Sequence, residues 1–145
     1  MSRVISQAGQ YLNNVMNHHV KKPRYLDKKS LEVFQEEAKR IIEQYPDRIP
    51  VIVEPSHDCR LPEMDKKKFL VPYDMTLGQF VYVIRKRIRL SSEMAMFLFI
   101  GDELPNTNAL MSQLYNTMAH PSGFLFIEYS GENVFGLDDL KLHQR

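Results

Sequence analysis

The sequence is poor in the features that announce enzymes, membrane spans and secreted scaffolds. One cysteine among 145 residues, Cys59, excludes an internal disulfide framework and any cysteine-rich zinc site. The longest uninterrupted apolar run covers residues 94–100, far short of the roughly 20 residues a membrane-spanning helix needs. Polar Ser6, Gln7, Gln10, Asn13, Asn14 and Asn17 break up any apolar stretch after Arg3 that a secretory leader would require. A reducing, cytosolic setting is expected. His18, His19, His57, His120 and His143 show no metal-motif spacing, so neither a metal nor another cofactor is expected. His57-Asp58-Cys59 reads as a loop rather than a nucleophile with its base, because a base normally arrives from elsewhere in the fold. No G-x-G-x-x-G, G-x-x-x-x-G-K-[ST] or G-x-S-x-G sequence is present. No enzymatic activity is expected.

What is present is the composition of one globular domain, with 43% hydrophobic and 26% charged residues. The formal net charge is +1, yet it is unevenly spread. Residues 66–89 hold Lys66, Lys67, Lys68, Arg85, Lys86, Arg87 and Arg89 against Asp74 alone, a local charge of +6. The window lacks an RNP-type aromatic motif, a zinc finger or a heptad-linked basic region. It therefore reads as a solvated basic face, and no nucleic-acid partner is expected.

Residues 1–22 carry a weak helical period, Ile5, Ala8, Leu12, Met16 and Val20, in an Asn/Gln-rich setting. A firmer helix runs from a Ser30 cap through Leu31, Phe34, Ala38, Ile41, Ile42 and Tyr45 until Pro46 and Asp47 stop it. Strands are predicted over residues 49–54 and 68–72. Thr76 and Gln79 form a capping box that opens a helix over residues 77–89, with Leu77, Phe80, Val81, Ile84 and Ile88 on one face. The cations in its last turns favour the negative end of the helix dipole. A strand over 95–100, a turn at Gly101-Asp102-Glu103, a short helix over 109–115, a turn at His120-Pro121-Ser122-Gly123 and a final strand over 124–129 complete the pattern. The near-continuous apolar character of the last strand places it in the middle of the sheet. This order predicts an α+β fold: the ubiquitin-like β-grasp, a four-stranded mixed sheet with a crossover helix, plus additional N-terminal helix.

Five phrases of the sequence carry a more specific signal. They are Tyr45-Pro46-Asp47-Arg48-Ile49-Pro50-Val51-Ile52-Val53-Glu54, Asp65-Lys66-Lys67-Lys68-Phe69-Leu70-Val71-Pro72, Thr76-Leu77-Gly78-Gln79-Phe80, Ile84-Arg85-Lys86-Arg87-Ile88 and Tyr129-Ser130-Gly131-Glu132-Asn133-Val134-Phe135-Gly136. With them the chain resembles the autophagy ubiquitin-like modifiers, the family of the GABA-receptor-associated protein and microtubule-associated light chain 3, over residues 31–136. The resemblance implies an N-terminal extension (1–29), a modifier domain (30–136) and a C-terminal propeptide (137–145). A processing cysteine protease would cut after Gly136, where Phe135 precedes the bond. Activating and conjugating enzymes would then join Gly136 to phosphatidylethanolamine, moving a cytoplasmic protein onto autophagosome membranes. Two departures stand out: Lys21-Lys22-Pro23-Arg24 in a longer N-terminal stretch, and Phe34-Gln35 where family members carry basic residues.

A physical reading of the second strand agrees with a peptide-binding role. Pro72 cannot donate to a ladder, which suits an edge strand onto which an extended peptide can add. The resemblance supplies two pockets for receptors that carry aromatic-x-x-aliphatic motifs. The aromatic residue would meet Glu37, Ile41, Pro50, Ile52, Lys68, Leu70 and Phe124. The aliphatic residue would meet Phe69, Val71, Pro72, Met75, Phe80, Val83 and Ile84. For Ile52, Phe80 and Ile84 core packing is at least as strong a reading as contact. Arg48, Lys66, Lys68 and Arg87 would attract acidic residues that flank such motifs. A non-conjugated β-grasp adaptor in intracellular trafficking would share the fold and the basic window. It would form no lipid adduct.

Overall fold

The computed structural model describes residues 31–131. The Ser30 cap, the helical period over 1–22, and Phe135, Gly136 and the segment after them lie outside the described residues. Three helices and four strands follow in order: α1 (Leu31–Gln44), β1 (Arg48–Pro55), β2 (Lys68–Pro72), α2 (Leu77–Arg87), β3 (Phe97–Phe99), α3 (Met111–Met118) and β4 (Leu125–Ser130). The sheet order is β2-β1-β4-β3, with β1 and β4 parallel at its centre and antiparallel β2 and β3 at its two edges. This is the β-grasp arrangement expected from the order of elements.

Parity along β1 sorts its side chains between two cores. Ile49, Val51 and Val53 join Phe69 and Val71 of β2 and Leu125, Ile127 and Tyr129 of β4 on one face, under Leu77, Phe80 and Ile84 of α2. Burying each large apolar side chain contributes about 1.5–3 kcal/mol, so this face dominates the stability. Ile52, one residue out of phase, faces the other way and packs with Phe124, Phe126 and α1's Phe34 and Ala38 in a smaller, separate core. A one-residue slip would exchange these two sets, which is why the register is strongly specified.

Helix boundaries follow from their caps. Thr76 Oγ1 accepts the Gln79 N–H at 3.2 Å while Gln79 Oε1 accepts the Thr76 N–H at 2.9 Å, the predicted capping box. The helix ends at Arg87 rather than at residue 89, because Arg89 turns left-handed (φ 54°). There Arg89 N–H donates to Lys86 O and Leu90 N–H to Arg85 O, the pair of bonds that closes a Schellman motif. The apolar run over 95–100 yields only three strand residues. Ile100 instead closes a tight turn with Glu103, in which Gly101 takes φ 59°. α3 starts at Met111 because Ala109 O is already committed to the Leu77 N–H and Leu110 bridges Thr76. Its first turn is capped by Gln113 Oε1, which accepts the Leu110 N–H at 3.0 Å.

Candidate peptide-docking edge

β2 is an outer strand, and its pairing with β1 fixes which of its backbone groups face outward. Val53 N–H donates to Lys67 O and Tyr73 N–H to Asp47 O. Antiparallel pairs alternate, so residues 67, 69, 71 and 73 spend their backbone groups on β1, whereas those of Lys68 and Leu70 are aimed away from it. Pro72 brings no N–H, and its carbonyl accepts the Met75 N–H at 3.1 Å. The outward ladder therefore comprises Lys68 and Leu70.

On the α1 side several of the residues expected around the aromatic anchor lie close together. Ile52 pairs with Lys68 and Pro50 with Leu70 across the ladder. Lys68 Nζ reaches Glu37 Oε1 of α1 at 2.6 Å and stands 5.6 and 5.9 Å from the ring centroids of Phe34 and Phe124. Phe34 and Phe124 meet edge to face at 5.7 Å. Ile52 and Phe124 are core residues at the floor, Pro50 is buried, and Glu37, Ile41 and Lys68 are half-buried around them. Leu70 is 40% exposed at the rim. The motif reasoning did not include Phe34, although its place on α1's apolar face was the signal that could have found it.

On the α2 side, Phe69, Val71, Phe80 and Ile84 belong to the main core, with Phe69 and Phe80 edge to face at 5.6 Å. Met75 and Val83 are half-buried against that core, and Pro72 is half-buried at the end of β2. Pro72, Met75 and Val83 thus offer partly exposed surface, whereas Phe69, Val71, Phe80 and Ile84 are buried. Parity groups Pro72 with Lys68 and Leu70 rather than with Phe69 and Val71. Lys66 Nζ and Arg87 Cζ lie 5.3 and 5.6 Å from the Phe69 ring centroid, and Arg87 also approaches Asp65 at 3.7 Å. These cations gather at the start of β2. Arg48 does not join them: it is exposed opposite Pro72, at the other end of the strand.

The turn expected at residues 120–123 joins α3 to β4 and packs against the smaller core. His120 packs edge-on against Phe126 at 4.9 Å, and its Nδ1 accepts the Ser122 N–H at 3.0 Å. Burial pushes its pKa down to about 4, so the ring is neutral near pH 7. Tyr115 donates its hydroxyl to Gly123 O at 2.7 Å, and burial pushes its pKa up to about 12. Gln35 Nε2 donates to Pro121 O at 3.1 Å, tying α1 to the same turn. At the exit of β4, Tyr129 donates its hydroxyl to Pro62 O at 2.7 Å, and its pKa is likewise raised to about 12, chiefly by burial. Among the described residues no group of His, Cys, Asp and Glu could hold a metal ion, and no helix is long and apolar enough to cross a membrane.

The β-grasp sheet, its crossover helix and the added helix α1 define a ubiquitin-like protein. The family model for the autophagy protein Atg8, described as ubiquitin-like, matches residues 33–136. Autophagy-related protein 8B of Oryza sativa subsp. indica is 57% identical over 108 residues, spanning 74% of this chain and 91% of that protein. Autophagy-related protein 8e of Arabidopsis thaliana is 58% identical over 104 residues, spanning 72% and 85%. Among solved structures, Trypanosoma brucei ATG8 superposes with a TM-score of 0.74 at 40% identity, covering 80% of this chain and 100% of that one. Plasmodium falciparum Atg8, solved in complex with a peptide of P. falciparum Atg3, gives 0.69 at 35% identity, covering 77% and 98%. The chain belongs to the Atg8 family of autophagy ubiquitin-like modifiers.

Proposed function

We propose that this protein is cut after Gly136 by a processing cysteine protease and joined through that glycine to phosphatidylethanolamine on autophagosomal membranes. There it recruits receptors and autophagy machinery that carry aromatic-x-x-aliphatic motifs. The protein is cytoplasmic before lipidation. Its domain plan is an extension over 1–29, a modifier domain over 30–136 and a propeptide over 137–145. Glycine suits the conjugation site because it leaves its carbonyl open to attack during adenylate, thioester and amide formation, and Phe135 gives the protease a bulky anchor. Two acyl chains make the attachment firm where a single chain is marginal, since each buried methylene contributes roughly 0.8 kcal/mol.

The observation that supports the peptide-binding part is the outer strand β2 flanked by partly exposed apolar side chains, Ile41 and Leu70 on one side and Met75 and Val83 on the other, with Lys66, Lys68 and Arg87 grouped at its start. Main-chain pairing supplies affinity that is indifferent to sequence, and the recesses select side chains. Glu37, Ile41, Pro50, Ile52, Leu70 and Phe124 surround the aromatic recess; Phe69, Val71, Pro72, Met75, Phe80, Val83 and Ile84 form the aliphatic one. The exposed cations, Arg48 included, speed the association of acidic segments. The complex of P. falciparum Atg8 with an Atg3 peptide supports partners in the conjugation pathway, activating and conjugating enzymes among them. Titrating the protein with a fluorescent acidic peptide containing the motif tests the reading. Saturable binding that is lost when both anchors become alanine is expected; equal binding of the two peptides contradicts it.

A further inference from the structure

We propose that Tyr73, with Asp47 and Asp74, forms a third subsite that takes a cationic side chain two positions after the aliphatic anchor of a bound motif peptide. The inference rests on the motif-binding reading above and specifies its partner further. Three observations carry it. In the motif reading the aromatic anchor meets Lys68 and Leu70 and the aliphatic one meets Phe69, Val71 and Pro72, so a peptide running from aromatic to aliphatic follows β2 in its own direction and leaves past Pro72. Backbone pairing ends before that point, because Pro72 lacks an N–H and its carbonyl is taken by Met75. Beyond the aliphatic anchor, selection falls to side chains.

The side chain waiting there is an aromatic ring left in water. Tyr73 is 51% exposed, and its N–H donates to Asp47 O at 3.1 Å, extending the β1–β2 register by one pair. That register gives Tyr73 and Asp47 the parity of Phe69 and Val71, the α2 side, while Arg48 falls on the opposite side. A peptide residue two places after the aliphatic anchor also shares the anchor's side, by the same period of two. Asp47 stands across the ladder from Tyr73 and Asp74 follows it in the chain; both are exposed, and Asp74 is the only acid in the basic window 66–89. A guanidinium or ammonium there gains the face of the phenol and the attraction of two carboxylates. The α2 side of the docking edge thus changes character along its length: basic at Lys66 and Arg87, acidic and aromatic at Asp47 and Tyr73, with Arg48 on the opposite side.

The test uses the full chain and three peptides identical except for Arg, Ala or Glu two positions after the aliphatic residue, titrated by fluorescence anisotropy. The Arg peptide is expected to bind about fivefold tighter than the Glu peptide, with Ala between. On Tyr73→Ser and on Asp74→Asn the spread should shrink to within about twofold while the Ala peptide keeps its affinity. Equal affinities on the unaltered chain, or a spread that survives both substitutions, overturn the subsite while leaving the motif reading in place. Failure of all three peptides to bind overturns both.

Discussion

Lys68 Nζ lies 2.6 Å from Glu37 Oε1, joining the edge strand to α1 while the same ammonium stands over the rings of Phe34 and Phe124. Both side chains are about a quarter to a third exposed, so the pair is screened less than a surface ion pair and stabilises more than one. A double-mutant cycle of Glu37→Gln and Lys68→Gln, followed by urea unfolding, is expected to give a coupling of about 1 kcal/mol. A coupling near zero would mean that α1 is held by its apolar packing and the Gln35–Pro121 bond, without help from this pair.

Neighbouring residues of β2 should respond oppositely to truncation. Leu70 is 40% exposed, whereas Phe69 is 8% exposed and packed on Phe80. Leu70→Ala should lower motif-peptide affinity about tenfold or more at a stability cost below about 1 kcal/mol. Phe69→Ala should destabilise the fold by about 3–5 kcal/mol. Chemical denaturation and peptide titration of the two variants separate these outcomes; full peptide affinity in Leu70→Ala would move the site away from β2.

The alternation and helical periods of residues 31–131 made the β-grasp legible, because the two core faces impose parity on each strand and Thr76-Gln79 marks a helix start. Boundaries were less legible where the backbone, rather than hydrophobicity, decides. Residues 95–100 look like a strand throughout, but the Gly101 turn leaves three of them paired. The cationic run to Arg89 looks helical, but the last turn ends in a left-handed residue that ordinary patterns assign to glycine. At the site, the sequence reads Ile52, Phe80 and Ile84 as core at least as strongly as contact. Their near-zero exposure puts Ile52 in the smaller core and Phe80 and Ile84 in the main one. The turn over residues 120–123 was legible from its Pro, Ser and Gly, but the bond that holds His120 in it was not, because that bond joins a side chain to backbone two residues away, which no periodicity records.

Arg89 supplies a test of that helix end. With φ at 54° an arginine bears a steric cost that glycine lacks. Arg89→Gly should raise stability by about 0.5–1 kcal/mol, and Arg89→Val should lower it by at least about 1 kcal/mol, read as shifts in the urea midpoint. Destabilisation by glycine would contradict the Schellman assignment.

His120 makes stability depend on pH in a defined window. Its folded pKa of about 4 lies below the ordinary value of 6.5, so the unfolded chain binds the extra proton between these values. The contribution is complete above pH 6.5 and is lost as pH falls from there toward 4, by a few kcal/mol at most (~1.4 per pH unit). Protonation also removes the acceptor that Ser122 N–H uses. Urea unfolding of the protein and of His120→Gln at pH 7.5, 6 and 5 should show a shallower decline in the variant. Parallel declines would place the acid sensitivity elsewhere.

Conjugation through Gly136 is tested most directly by intact-mass spectrometry of the full chain incubated with processing protease, activating and conjugating enzymes, ATP and phosphatidylethanolamine liposomes, beside a relative that the same mixture modifies. The account predicts loss of the nine residues 137–145 followed by gain of one phosphatidylethanolamine, with Gly136→Ala remaining at its starting mass. Persistence of the unaltered chain through Arg145 without an adduct, while the relative is modified, would contradict it.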